Sequence, residues 1–144
     1  MAIARTTVVK RGKEMEKCID DCLDCHSICL ETSMSYCLEK GGKHAEPGHM
    51  RLMLDCSEIC QVSANFMLRN SNFSTRTCNL CAEICIKCAG SCEQFKGDEI
   101  MAACARVCRR CADSCEKMSE MSMAQMSSMA KTSAAGMSAA ETSM

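Results

Sequence analysis

The sequence predicts an all-α protein: an antiparallel, up-down-up-down four-helix bundle with a cysteine-lined core. Three observations predict it. Cysteines recur at steps of three and four, in Cys18-Cys22-Cys25-Cys29, Cys56-Cys60, Cys78-Cys81-Cys85-Cys88-Cys92 and Cys104-Cys108-Cys111-Cys115. Such steps put side chains on one stripe of a helix. Glycine, proline and Asx residues then divide the chain into four helical segments. Finally, the connections after the second and third segments are short, and short connections make antiparallel neighbours.

The first helix is predicted from about Gly12 to Lys40, stopped by Gly41-Gly42. Pro47-Gly48 opens the second, since proline is tolerated in a first turn, and this helix runs to about Arg69. Asn70-Ser71-Asn72 has turn chemistry. Ser74 or Thr75 is the expected cap of a third helix reaching Phe95, and Gly97 closes it. Asp98 is a good N-cap for a fourth helix running at least to Met118. The predicted organisation is therefore an N-terminal tail (1–11), the bundle (12–118) and a Met/Ser/Ala-rich tail (119–144). That last tail is expected to have little fixed structure beyond its start.

Composition limits the function. The 144 residues are enough for one domain with a real core, but aromatics are only 3% of the chain and there is no Trp. Sixteen Cys and 14 Met take their place. Seventeen basic against 18 acidic side chains produce no net field for nucleic acid or an anionic membrane. No apolar run approaches the roughly 20 residues that span a bilayer. Met1 to Lys17 contains no apolar signal core, so a cytoplasmic protein is expected, unless an export signal once preceded residue 1. No phosphate loop, H-E-x-x-H or other catalytic constellation stands out, and no enzyme is predicted.

A disulfide-stapled scaffold is the obvious alternative reading of so many cysteines. Helix neighbours, however, hold their Cβ atoms about 5–6 Å apart, whereas a disulfide needs about 3.5–4.5 Å. A shared metal suits that spacing better, because two metal–sulfur bonds of about 2.3 Å span about 4.6 Å end to end. Packing alone is a poor explanation for fifteen thiols in register, because Cys fills a seam worse than Leu. Only Cys37 lies outside the series.

The second helix has few cysteines, yet its stripe reads His49, Met53, Cys56, Cys60, Ser63, Met67. Met15 lies three before Cys18, Met101 three before Cys104 and Met118 three after Cys115. Thiolates thus occupy the middle of the bundle, with thioethers and imidazole toward its ends. One end collects Met15, Met67, Met118 and Cys78. The other collects Met34, Cys37, His49, Met50, Met53 and Met101, with His44 in the loop above. His26 falls off the stripe and reads as a helix-flank residue, His44 as a solvated loop residue or, from its place at the mouth, a candidate ligand, and His49 equally as ligand or core histidine. A seam methionine is more often gap filler than ligand.

Cys and Met together favour Cu(I), whereas zinc prefers Cys with His and rarely uses thioether. The bacterial iron–sulfur run of short steps ending in Cys-Pro is missing. The predicted ligands are all sixteen cysteines (Cys18, Cys22, Cys25, Cys29, Cys37, Cys56, Cys60, Cys78, Cys81, Cys85, Cys88, Cys92, Cys104, Cys108, Cys111, Cys115) with Met34, His49, Met53 and Met101. Each i,i+4 thiol pair is expected to serve as one Cu(I) site. The alternative is a zinc or general thiolate buffer of metallothionein type.

The repeated C-x3-C-x2-C pieces, Cys18-Ile-Asp-Asp-Cys22-Leu-Asp-Cys25 and Cys104-Ala-Arg-Val-Cys108-Arg-Arg-Cys111, resemble the bacterial copper storage proteins. The resemblance spans Met15 to Met118. It implies a homotetramer, many Cu(I) ions per chain and one Met- or His-lined mouth, here the end with Met34, His49, Met50, Met53 and Met101. It also implies a cytosolic type, for which a copper chaperone is a candidate partner. This chain departs from the family pattern in its cysteine-poor second helix and its Met-rich tail.

Overall fold

The computed structural model describes residues 10–133, with side chains through residue 121. Four helices account for the bundle. α1 comprises Lys13–Thr32, the π turn Ser33–Cys37 and Leu38–Lys40; α2 is Pro47–Leu68, α3 Ser74–Glu93 and α4 Glu99–Ser133. Each helix packs on two others, α1 on α2 and α4, and α3 on α2 and α4. This closed ring is the up-down-up-down bundle the spacing predicts.

Local chemistry fixes the ends. Gly12 precedes α1, and Glu14 and Glu16 in its first turn complement the helix dipole. Gly41 and Gly42 end it with φ of 72° and 58°, a region costly for any residue with a Cβ. Pro47 opens α2, and the Glu46 carboxylate accepts from the His49 N–H at 3.0 Å. At its far end Asn70 takes φ 56°, Asn70 N–H donates to Met67 O and Ser71 N–H to Phe66 O. That paired bonding is a Schellman stop with asparagine in the usual glycine position. Asp98 caps α4 as expected, its Oδ1 accepting from the Ile100 and Met101 N–H groups at 3.1 Å each.

Several boundaries differ from expectation. Ser74 is the first residue of α3 and Phe73 its cap; the Ser74 hydroxyl instead donates back to Ser71 O at 3.0 Å. α3 ends at Glu93, before Phe95, so that the Phe95 ring can turn toward the His44 loop. The N-terminal segment is anchored at Arg11, whose guanidinium meets Glu16 at 2.7 Å and Leu68 O at 3.4 Å. Regular structure does not stop at Ser119: α4 continues to Ser133. The remainder of the Met-rich tail, 134–144, lies outside the described residues.

The π turn explains the one cysteine outside the series. At 3.6 residues per turn, position 36 lies within about 20° of Cys29 and position 37 about 80° away. One extra residue in a wide turn rotates the chain, so Cys37 faces the core and is fully buried while Tyr36 moves to the rim.

Candidate metal centre

All sixteen cysteines are free and buried. They form a column of sulfur along the bundle axis, and its closest contacts mostly cross between helices. Cys29 and Cys108 approach at 3.5 Å, Cys18 and Cys115 at 3.6 Å, Cys60 and Cys81 at 3.6 Å, and Cys56 and Cys85 at 3.6 Å. The expected i,i+4 pairs are a minority of the close contacts, with Cys25–Cys29 and Cys81–Cys85 both at 3.8 Å. The reason is geometric: in a four-helix ring every stripe points at the same axis, so the nearest sulfur often belongs to another helix.

These contacts build four groups of four thiols: Cys22/Cys81/Cys111/Cys115, Cys60/Cys81/Cys85/Cys111, Cys25/Cys56/Cys60/Cys85 and Cys25/Cys29/Cys56/Cys108. A triad, Cys18/Cys78/Cys115, lies at one end. Neighbouring groups share members, so a thiolate of one site can bridge to the next. With metal–sulfur bonds of about 2.3 Å, a tetrahedral angle separates two sulfurs by about 3.8 Å and a trigonal angle by about 4.0 Å. The observed separations of 3.5 to 4.0 Å match both. A linear two-sulfur site needs about 4.6 Å, inside the 4.8 Å within which the members of each group lie.

The crowded thiols shift one another's acidity. Contacts with Cys104 and Cys108, with burial behind them, push the Cys29 thiol up, while contacts with Cys108 and Cys111 draw the Cys25 thiol down. Burial, with the neighbouring Cys104, Asp98 and Cys88 charges, raises Cys37 to about 11. A soft cation replacing those protons relieves the burial of charge that thiolates alone would incur.

Toward the His49 end, thioether and imidazole join the column. Met53 Sδ lies 3.6 Å from Cys88 Sγ and 3.5 Å from Cys92 Sγ. Cys37 Sγ lies 3.5 Å from His49 Nε2 and 3.7 Å from Met101 Sδ. His49 Nδ1 meets Ser91 Oγ at 2.7 Å. With that nitrogen donating, Nε2 turns its lone pair toward Cys37, the arrangement that orients a ligating histidine. Burial lowers the His49 pKa and keeps the ring neutral, as a ligand must be. Met34 is the exception among the predicted ligands: it is 36% exposed on the outer face of the π turn.

Two other histidines have structural settings. His26 lies on the helix flank as expected, its Nδ1 within 2.9 Å of Ser57 O. His44 is not a solvated loop residue. Its Nε2 contacts Asp98 Oδ2 at 2.9 Å, and its ring lies 4.1 Å from the Phe95 centroid. Tyr36 Oη donates to the same Asp98 oxygen at 2.8 Å. The turn Gly42–Ala45 is thereby docked over this end of the bundle. No single sequence signal paired His44 with Asp98, 54 residues away.

Comparison with known proteins follows the same lines. The copper storage protein (Csp) family profile matches residues 11–120. A Nitrosospira multiformis protein of known crystal structure is 50% identical over 76% of this chain and 97% of its own, with a TM-score of 0.72. The Cu(I)-bound copper storage protein of Bacillus subtilis is 34% identical over 74% and 99%, with a TM-score of 0.68. A cytosolic copper storage protein from Streptomyces lividans, described with five coppers, is 26% identical over 75% and 94%, with a TM-score of 0.65. No curated protein matches the chain.

Proposed function

Because the chain belongs to the copper storage protein family, we propose that it stores several Cu(I) ions per chain on its core thiolates, without enzymatic turnover. The observation that carries this reading is the overlap of the thiol groups. Six cysteines (Cys25, Cys56, Cys60, Cys81, Cys85 and Cys111) each belong to two groups of four, which suits a continuous cluster better than isolated structural sites. Thioether contact at Met53 favours Cu(I) over zinc.

Metal is admitted at the end holding Cys37, His49, Met53 and Met101. His49 and Met101 supply neutral donors beside a thiol raised to about 11, so a copper ion can be held there before a proton leaves. The docked His44 turn covers this mouth. Met34, exposed beside it, is an outer contact for arriving copper rather than a core ligand. A homotetramer in the cytosol, receiving copper from a chaperone, fits the family resemblance. Exposed Leu30, Leu38, Leu54, Leu80 and Ile86 supply apolar surface for subunit contacts. No described helix is long and apolar enough to cross a membrane.

The test is titration of the reduced apo-protein with Cu(I) against a competing chelator, with Zn²⁺ in a parallel arm. Tight binding of many Cu(I) ions that zinc cannot displace supports storage. Zinc binding as tight as copper would assign the thiolate buffer instead.

A further inference from the structure

The end of the bundle opposite His49 is also built from sulfur. Resting on the storage reading above, we propose that Met15, Met67 and Met118, with Cys78, form a second Cu(I) site and exchange point, fed by anionic copper–thiolate complexes. Met67 is fully buried and its Sδ lies 3.8 Å from Cys78 Sγ. Cys78 belongs to the Cys18/Cys78/Cys115 triad, the last thiol group at this end. Met118 is one turn beyond Cys115 and 5% exposed; Met15 is one turn before Cys18 and packs on the same core. A bundle that merely needed closing would be served by Leu, which packs with better-defined rotamers.

This end also opens outward. Met15, Met118 and the 41%-exposed Met121 line a cavity of about 310 Å³, together with Lys10, Arg11, Lys13 and Glu14. Met121, Met118 and Met15 thus share one cavity at this end, and Met67 meets Cys78 of the triad from within the core. The cavity carries Lys10, Arg11 and Lys13 against Glu14, and Glu16 pairs with Arg11 at 2.7 Å, which leaves a small excess of positive charge. Arg11 Nε is the one buried side-chain nitrogen or oxygen without a hydrogen-bond partner among the described residues. An unpaired buried donor is costly and calls for an acceptor. Bare Cu⁺ suits such a rim poorly, whereas a copper ion carried between two small-molecule thiolates is an anion and suits it well. Transfer is a ligand exchange without redox change. Both copper–thiolate bonds to the carrier break, the first as a copper–thioether bond to this end forms and the second as the Cys78 sulfur binds, and one carrier thiolate leaves as the anion. Cys78 gives its proton to the other departing thiolate as its own sulfur binds the metal.

The test uses the full chain and the Cu(I)–glutathione complex as donor. His49→Leu with Met101→Leu closes the first end. That variant is expected to load more slowly but to nearly full capacity, through the second end. Adding Met15→Leu, Met67→Leu and Met118→Leu, which conserve volume and so spare the fold, is expected to cut the remaining rate by about tenfold, the scale of one lost binding interaction. Methionine-methyl NMR of the wild type during Ag(I) titration should show Met67 and Met118 shifting. Equal rates in the two variants, or Met67 and Met118 methyls unmoved at saturation, would overturn the proposal. Failure of the wild type itself to take up more than one or two Cu(I) ions would instead overturn the storage reading.

Discussion

Met53 is the clearest case of a single residue whose chemistry exceeds its packing. Its sulfur sits between Cys88 and Cys92, two thiols that join none of the four-thiol groups. Met53→Leu conserves volume and is expected to cost under about 1.5 kcal/mol of stability. Its expected effect is on metal: about one Cu(I) fewer per chain, or a weaker last equivalent, read by chelator competition. A fall in melting temperature with unchanged copper binding would assign Met53 to packing alone. At this scale the sequence was legible wherever spacing carried the signal, as for fifteen cysteines, His26 and Met101. It was silent where contact depends on partners distant in sequence. His44 reads as loop until Asp98 and Phe95 are brought beside it. Met34 was misplaced among the ligands, since at 3.6 residues per turn it already lies about 140° from Cys29, on the outer face where it is found.

Among the elements, the π turn of α1 is a register device. It spends one extra residue, so deleting Ser35, which is exposed, should restore a regular α-helix with the cysteine still facing the core. The expected result is a folded protein with the Cys37 thiol still protected from Ellman's reagent and a melting temperature changed by only a few degrees. An equivalent deletion within Lys13–Thr32 should expose thiols, because it rotates the cysteine stripe by about 100°. Exposed thiols in the Ser35 deletion would contradict this account.

The start of α4 offers a second test. Although burial opposes it, hydrogen bonds from His44, the Met101 N–H and Tyr36 hold the Asp98 carboxyl at about 2, below its ordinary 3.8. A carboxylate depressed in the folded state contributes stability above its unfolded value and loses it as pH falls through the folded one. Apo-protein stability should therefore fall between about pH 4 and pH 2 more steeply in the wild type than in Asp98→Asn, as read by thermal melts. Parallel curves would show that Asp98 adds nothing. The cap itself was legible, since Asp after Gly before an amphipathic run is a helix start. The extension of α4 through Ser133 was not, because Met, Ser and Ala carry no periodic apolar signal and Ala and Met merely permit a helix.

For the whole molecule, the architecture follows from four stripes meeting on one axis. Spacing alone dictated that thiols line the core. It did not dictate which thiols meet, because cross-helix distances depend on the relative height and rotation of four helices. Each four-thiol group holds one i,i+4 pair from a single helix together with two thiols from other helices. Neutral thiols pack as small hydrophobes, so the apo-protein is expected to be fully helical by circular dichroism, unlike metal-dependent folds that collapse without their ion. Loading should raise its melting temperature by mass action.

The most direct measurement of the central claim is the number of Cu(I) ions bound per reduced chain at saturation, with thiol accessibility followed in parallel. Paired thiolates correspond to about eight ions and fully bridging ones to about sixteen. The account predicts saturation in that range, with loss of thiol reactivity in step with metal added. Saturation at one or two ions, with most of the sixteen thiols still reactive, would contradict it.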